Sequence, residues 1–159
     1  MTMVYIGVGT NVEREKHAKA AIEALSSLTH LCRVSSIYEC ESLGFDSTPF
    51  YNFVVELKTT ESLSDFSQLM RSIEIKWGRS STAKKFQDRS LDLDILLFGE
   101  EVSLSSPIVP REDIFKYPFV IQPLYDLVPD LVIPMDGRTV KDIWQDMDNL
   151  NTLSKIELI

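Results

Sequence analysis

Apolar positions recur along this chain at two periods, and the switches between them outline its elements. A strand-like run at Val4-Tyr5-Ile6 predicts a first strand over about Thr2–Val8, ending at Gly7-Val8-Gly9-Thr10-Asn11. The glycines there would permit a tight strand-to-helix turn, with Thr10 or Asn11 as the helix cap. Ala18, Ala21, Ile22 and Leu25 then form a helical stripe. Leu31–Cys40 reads as a second strand, Glu41–Pro49 as a loop and Phe50–Lys58 as a third strand. Phe66, Leu69, Met70, Ile73 and Trp77 share one side of a helix predicted over Ser62–Trp77, capped by Ser62 or Ser64 and ended by Gly78. A loop from Arg79 to Asp88 leads into Arg89-Ser90-Leu91-Asp92-Leu93-Asp94-Ile95-Leu96-Leu97-Phe98, a buried or half-buried strand.

The order strand-helix-strand-strand-helix-strand predicts an α+β fold with a ferredoxin-like βαββαβ core, an antiparallel sheet covered by two helices on one face. Extra C-terminal helices follow. One is a short helix with a loop near Arg111–Leu127, the other a helix around Val140–Met147 docked by Ile143, Trp144 and Met147. Leu153–Ile159 is expected to form a small edge strand. No repeat or Pro/Gly-rich linker divides the chain, so residues 1–159 are expected to be a single domain.

The last core strand carries an anomaly. Asp92 and Asp94 are two residues apart, so they share a face with Cα atoms roughly 6.5–7 Å apart. Two carboxylates so placed can converge on one or two hard cations, and cannot be buried unpaired at tolerable cost. The alternative is that both face solvent while Leu91, Leu93 and Ile95 face inward. Acidic residues are poor strand formers, however.

Charge narrows the choice of partner. The 159 residues carry a net charge of −8 with ordinary apolar and charged content, which argues against a nucleic-acid or anionic-membrane binder. Yet Arg71, Lys76, Arg79, Lys84, Lys85 and Arg89 crowd the stretch before the aspartates, against only Glu74 and Asp88. A cationic loop beside paired carboxylates suits a nucleotide triphosphate with its Mg²⁺; otherwise it is a solvated loop balancing an acidic surface. No Walker-type phosphate loop is present, and Gly7-Val8-Gly9 is too short for a dinucleotide fingerprint. Cys32 and Cys40 form neither a disulfide framework nor a zinc pattern. With no signal peptide and no long apolar run, the chain is expected to be cytoplasmic, with reduced thiols.

In order along nearly its whole length, the chain resembles the 6-hydroxymethyl-7,8-dihydropterin pyrophosphokinase family. The resemblance is carried by Tyr5-Ile6-Gly7-Val8-Gly9-Thr10-Asn11, Ser35-Ser36-Ile37-Tyr38, Leu43-Gly44 and Phe50-Tyr51-Asn52-Phe53-Val54-Val55. Glu74 and Gly78-Arg79 follow, then the specific signature Arg89-Ser90-Leu91-Asp92-Leu93-Asp94-Ile95-Leu96, Val109-Pro110 and Phe119-Val120-Ile121-Gln122-Pro123-Leu124. It implies ATP-dependent pyrophosphoryl transfer to a dihydropterin alcohol in folate biosynthesis, by a monomer with no nucleic-acid or membrane partner. By resemblance, Asp92 and Asp94 would hold two Mg²⁺ ions, and Arg79 and Arg89 would join them in the catalytic set. ATP would be bound by Glu74, Arg79, Lys84, Lys85, Arg89 and Arg111, the lysines lying in a loop that closes over the substrates. The pterin would meet Cys40, Leu43, Gly44 and Asn52, between the rings of Phe50 and Phe119.

The departures gather at the phosphate end. Arg111 stands where the family usually has histidine, Tyr117 and Ser81 where arginines are common, and Phe86 near a usual tryptophan. Gln87-Asp88 replaces Gly-Pro, and Cys40-Glu41 replaces a threonine and an apolar residue. They raise the alternative of a divergent member that binds pterin or nucleotide with little transfer. A ferredoxin-like RNA-binding module is disfavoured by charge and by the lack of an RNP-type signature. His17 and His30 read as plain surface residues.

Overall fold

The computed structural model describes residues 1–40, 48–78 and 91–158. The expected positions Glu41, Leu43, Gly44, Arg79, Ser81, Lys84, Lys85, Phe86, Gln87, Asp88 and Arg89 therefore lie outside the described residues. So do most of the expected Glu41–Pro49 loop and all of the Arg79–Asp88 loop.

The sheet is antiparallel, as the element order predicts. Strand β1 (Thr2–Thr10) lies between β5 (Asp92–Phe98) and β4 (Phe50–Thr59), and β4 pairs onward with β2 (His30–Val34) and β3 (Ile37–Cys40). A short β6 (Ser154–Ile156) extends the sheet beyond β3. This is the ferredoxin-like arrangement, with helices α1 (Arg14–Leu28) and α2 (Leu63–Lys76) on one face. Val4, Ile6, Val8, Phe53, Val55, Leu57, Leu93 and Ile95 meet Ala18, Ala21, Leu25, Phe66, Met70 and Ile73 there. The periodicity of both helices is thus fulfilled by one continuous core.

Local chemistry sets the boundaries. Ser62 Oγ accepts the Asp65 N–H, and Gly78 (φ 100°) follows the end of α2, as expected. The expected Leu31–Cys40 strand is two strands instead. At the break the Ser35 hydroxyl takes the Val54 N–H at 2.8 Å, displacing a backbone acceptor from the ladder. Neither Thr10 nor Asn11 caps α1. Thr10 Oγ1 donates to Val12 O and Asn11 Nδ2 to Thr48 O, while Glu13 occupies the cap position without a side-chain capping bond. His17 is a further correction. It is buried at 4% exposure, with Nδ1 2.6 Å from Val12 O and its ring edge-on to Trp77. His30 is exposed, as expected.

The C-terminal third covers the second face. It forms α3 (Asp113–Lys116), α4 (Pro118–Leu127) and α5 (Val140–Asp146), the last with a Thr139–Asp142 capping box. Pro118 starts α4, where its missing N–H costs nothing. Ile121, Leu124 and Ile143 pack with Tyr5, Val54, Leu96 and Leu97 of the sheet. Leu96 and Leu97 reach the same side because β5 carries a bulge opposite Tyr5/Ile6. Tyr125 and Trp144 stack with centroids 4.0 Å apart, which docks α5 onto α4. Among the described residues no helix is long and apolar enough to cross a membrane.

One charged group sits under this cover. Glu56 is buried, accepting Tyr5 Oη at 2.7 Å and Arg33 Nε and Nη2 at 2.8 and 2.9 Å. Arg33's hydrogen bonds hold its carboxyl below the ordinary range, with Tyr5 adding to the effect and burial opposing it. A depressed carboxylate stabilises the fold above its unfolded pKa, about 4.3, and that contribution is lost as pH falls through the lower folded value. Glu56→Gln should therefore cost about 2 kcal/mol at pH 7. The gap to wild type should close as pH drops from 5 toward 3 in urea unfolding. A gap independent of pH would deny the carboxylate this role.

Candidate active site

The second face is left partly open at one end, and the sheet register determines what lines the opening. Asp92 of β5 pairs with Gly9 of β1, Gly9 with Asn52 of β4, and Asn52 with Tyr38 of β3. The next row is Asp94, Gly7 and Val54. Directly paired residues share a face, so both aspartates and Asn52 look across the bare backbone of Gly9. Asp92 and Asn52 are two strands apart, about 9.5 Å at the usual strand spacing.

Gly7 and Gly9 thus have a role that the sequence reading misassigned. They belong to β1 and not to a turn; Gly9 leaves bare backbone as the floor of a trough between Asn52 and Asp92, while the Leu96 side chain lies over Gly7. A Cβ on Gly9 would lie 3.0 Å from Asn52 Oδ1, 3.7 Å from Phe50 Cδ1 and 4.0 Å from Asp92 Cβ. The signal was present: two glycines spaced i, i+2 in an otherwise branched strand mark one face as a place of close approach.

At the amide end, Asn52 Nδ2 donates to Cys40 Sγ at 2.7 Å, and the Cys40 thiol donates to Phe50 O at 3.8 Å. Cys40, Phe50 and Asn52 are therefore brought together, with Phe50 and Asn52 half-buried. Phe119, the second residue of α4, stacks on Tyr117 with centroids 4.9 Å apart and planes 14° apart.

At the carboxylate end, Asp92 and Asp94 are half-buried while Leu91, Leu93 and Ile95 are buried, so the strand alternates as expected. Arg111 Nη2 lies 3.5 Å from Asp94 Oδ1 and its Nε 3.2 Å from Asp113 Oδ2. Burial first, then the charge of Asp92, pushes the Asp94 carboxyl well above the ordinary carboxylate range, and Arg111 only partly offsets this. Burial works against the charge of Arg111 too, but Asp94 and Asp113 outweigh it and raise its pKa.

Beyond Asp94 the outer edge of β5 borders a cleft of about 430 Å³ shared with α2, residues 106–108 and Arg111. Glu74 and Arg71 line it. Glu74 is buried, and its Oε2 accepts the Leu93 N–H at 2.8 Å, satisfying a donor on the unpaired strand edge.

The donor set fits a hard cation. Two carboxylates face a trough, and one is poorly solvated and repelled by the other. Among the described residues no group of three or more His, Cys, Asp or Glu side chains converges. The pair would fill only part of a coordination shell, which suits an ion that arrives with phosphate oxygens and water.

Residues 5–129 match the family model of 7,8-dihydro-6-hydroxymethylpterin-pyrophosphokinase. The chain belongs to this family. It is 37% identical over 145 residues to the 2-amino-4-hydroxy-6-hydroxymethyldihydropteridine pyrophosphokinase of Pseudomonas aeruginosa, covering 88% of each chain. The Haemophilus influenzae protein of the same name is 35% identical over 139 residues, covering 84% of this chain and 86% of its own. Among solved structures, wild-type Plasmodium falciparum HPPK-DHPS superposes with a TM-score of 0.70 at 11% identity. That match covers 91% of this chain and 44% of the Plasmodium chain, so this chain spans less than half the length of that structure.

For a pyrophosphokinase-family member, the arrangement divides plainly. The trough joins a carboxylate end to an amide end, and the cleft along β5 adjoins the carboxylate end. Arg111 is held against Asp94, and Tyr117 is stacked on Phe119.

Proposed function

We propose that this chain transfers pyrophosphate from ATP to the hydroxymethyl group of 6-hydroxymethyl-7,8-dihydropterin, acting as a cytoplasmic, monomeric, single-domain enzyme. The observation that carries the reading is the glycine-floored trough linking Asp92 and Asp94 to Asn52. A flat bicycle laid over Gly9 can set its donor–acceptor edge against the Asn52 amide and direct its alcohol arm at the aspartates. Phe50 and Phe119 would supply ring faces for stacking, and Cys40 the anchor of the amide. Leu43 and Gly44 complete this end by resemblance.

Asp92 and Asp94 would hold Mg²⁺, two ions by resemblance, and the metal would neutralise phosphate charge and favour ionisation of the alcohol. The alcohol oxygen bonds to the β-phosphorus of ATP as the bond from that phosphorus to the α,β-bridging oxygen breaks. AMP leaves, and the alcohol proton passes to solvent. The cleft beside β5 would take the nucleotide, with Glu74 holding the strand edge and Arg111 placed beside the phosphates. Arg79, Lys84, Lys85 and Arg89 would add positive charge around the triphosphate and exclude water. The relatives' shared name favours this enzyme over the divergent binder.

Incubation with ATP, Mg²⁺ and 6-hydroxymethyl-7,8-dihydropterin should give pterin-dependent AMP, abolished by EDTA. Tight binding of both ligands without AMP would reject transfer.

A further inference from the structure

Two local preferences are broken where α1 begins. Glu13 is held at φ 42°, ψ 59°, a left-handed conformation unfavourable for a residue with a Cβ. Arg14, the first helical residue, carries positive charge into the positive end of the helix dipole. Such conflicts persist where tertiary contacts outweigh them.

The compensating contacts lie on the back of the sheet. Arg14 Nη1 is 2.6 Å from Glu39 Oε2 and donates to Pro49 O at 3.1 Å, while the guanidinium sits 4.1 Å over the Tyr51 ring. Glu39 and Tyr51 are direct register partners in β3 and β4. Close by, Asn11 Nδ2 holds Thr48 O at 3.2 Å. Side chains alternate along a strand, so the neighbours Cys40, Phe50 and Asn52 point to the other face, into the trough.

We propose that Arg14 is a positioning residue for the pterin end of the site. It fixes the end of β3 and the start of β4 from behind, and so sets the Cys40–Asn52 hydrogen bond and the Phe50 ring without touching substrate. The inference rests on the trough being the pterin pocket. One guanidinium nitrogen reaches both a carboxylate and a carbonyl while the planar group lies on a ring face, a combination no other side chain supplies.

Steady-state AMP production separates a positioning role from a purely stabilising one. Arg14→Ala should raise the pterin KM about tenfold and leave the ATP KM within about twofold. Arg14→Lys, which keeps charge near Glu39 but loses the planar group over Tyr51, should fall between wild type and Arg14→Ala, with a pterin KM about threefold above wild type. If Arg14→Ala does not fold, the lysine variant carries the same test. An unmoved pterin KM, or equal rises in both KM values, overturns the proposal and leaves Arg14 a stabilising clamp. Wild type that binds no pterin overturns the pocket assignment, and the proposal with it; wild type that binds pterin without forming AMP rejects transfer alone, and the same ranking of the Arg14 variants is then read in pterin Kd.

Discussion

Asp94→Asn should cut AMP production by about 10³-fold or more while making the ligand-free protein more stable. The two effects share one cause. Asp94 stands half-buried beside Asp92, with Arg111 at 3.5 Å as partial relief. Burial and Asp92 raise its pKa in the fold, so the folded state holds this proton more tightly than the unfolded chain does. The sign follows from linkage. Stability from this group is complete below the unfolded carboxylate pKa and is lost as pH rises through the folded value. At neutral pH the charge is therefore a liability that asparagine removes, for a gain of about 1 kcal/mol in chemical unfolding. Arg111 keeps Asp113 at 3.2 Å, so it is not stranded. Adding Mg²⁺ with ATP should raise the thermal midpoint of wild type and leave the variant nearly unmoved. A variant that keeps activity within tenfold of wild type would remove the aspartates from the site. One that is strongly destabilised would show them to be structural.

What the sequence could reveal depended on whether a feature is local. The α2 stripe, its Ser62 cap and the alternation of Asp92 and Asp94 with Leu93 and Ile95 are set by residues a few positions apart. All are found as read. The split at Ser35 was hidden because it depends on a hydroxyl meeting Val54, nineteen residues on. His17 looked like surface because its partners, Val12 O and Trp77, are supplied by the fold. Docking of the last helix through Ile143, Trp144 and Met147 is found as read, but the sheet face that receives the C-terminal helices, Tyr5, Val54, Leu96 and Leu97, emerges only from strand register. At the site, the aspartate pair and Asn52 were legible as polar residues in apolar strands. Their common trough was not, because it exists only once Gly9 is registered between them. Arg111 was legible as a departure from the usual pattern, but its contact with Asp94 required the chain to return against β5, where its N–H meets Leu96 O at 2.9 Å.

Filling the trough is the sharpest test of that register. Gly9→Val should lower pterin affinity by about 10²-fold and leave ATP affinity within about threefold. Gly9 is an ordinary strand residue, so a branched side chain suits its backbone and the fold should survive. The obstruction is on the face itself. Even a Cβ meets Asn52 Oδ1 at 3.0 Å, and the two methyl groups of valine would occupy the floor between Asn52 and Asp92. Gly9→Ala should be intermediate, because the amide can yield only by a few tenths of an ångström while it holds Cys40. Gly7→Ala is the control in the next row. Its Cβ would meet the Leu96 side chain no closer than 3.4 Å, an ordinary contact with a movable neighbour, and should cost less than threefold. Equilibrium titration of the pterin by intrinsic fluorescence ranks the three variants without requiring turnover. A ranking of valine below alanine below wild type at Gly9, with Gly7→Ala close to wild type, places the flat ring over Gly9. Unchanged pterin affinity in Gly9→Val would put the pterin elsewhere, and the aspartates and Asn52 would then share a face without sharing a ligand.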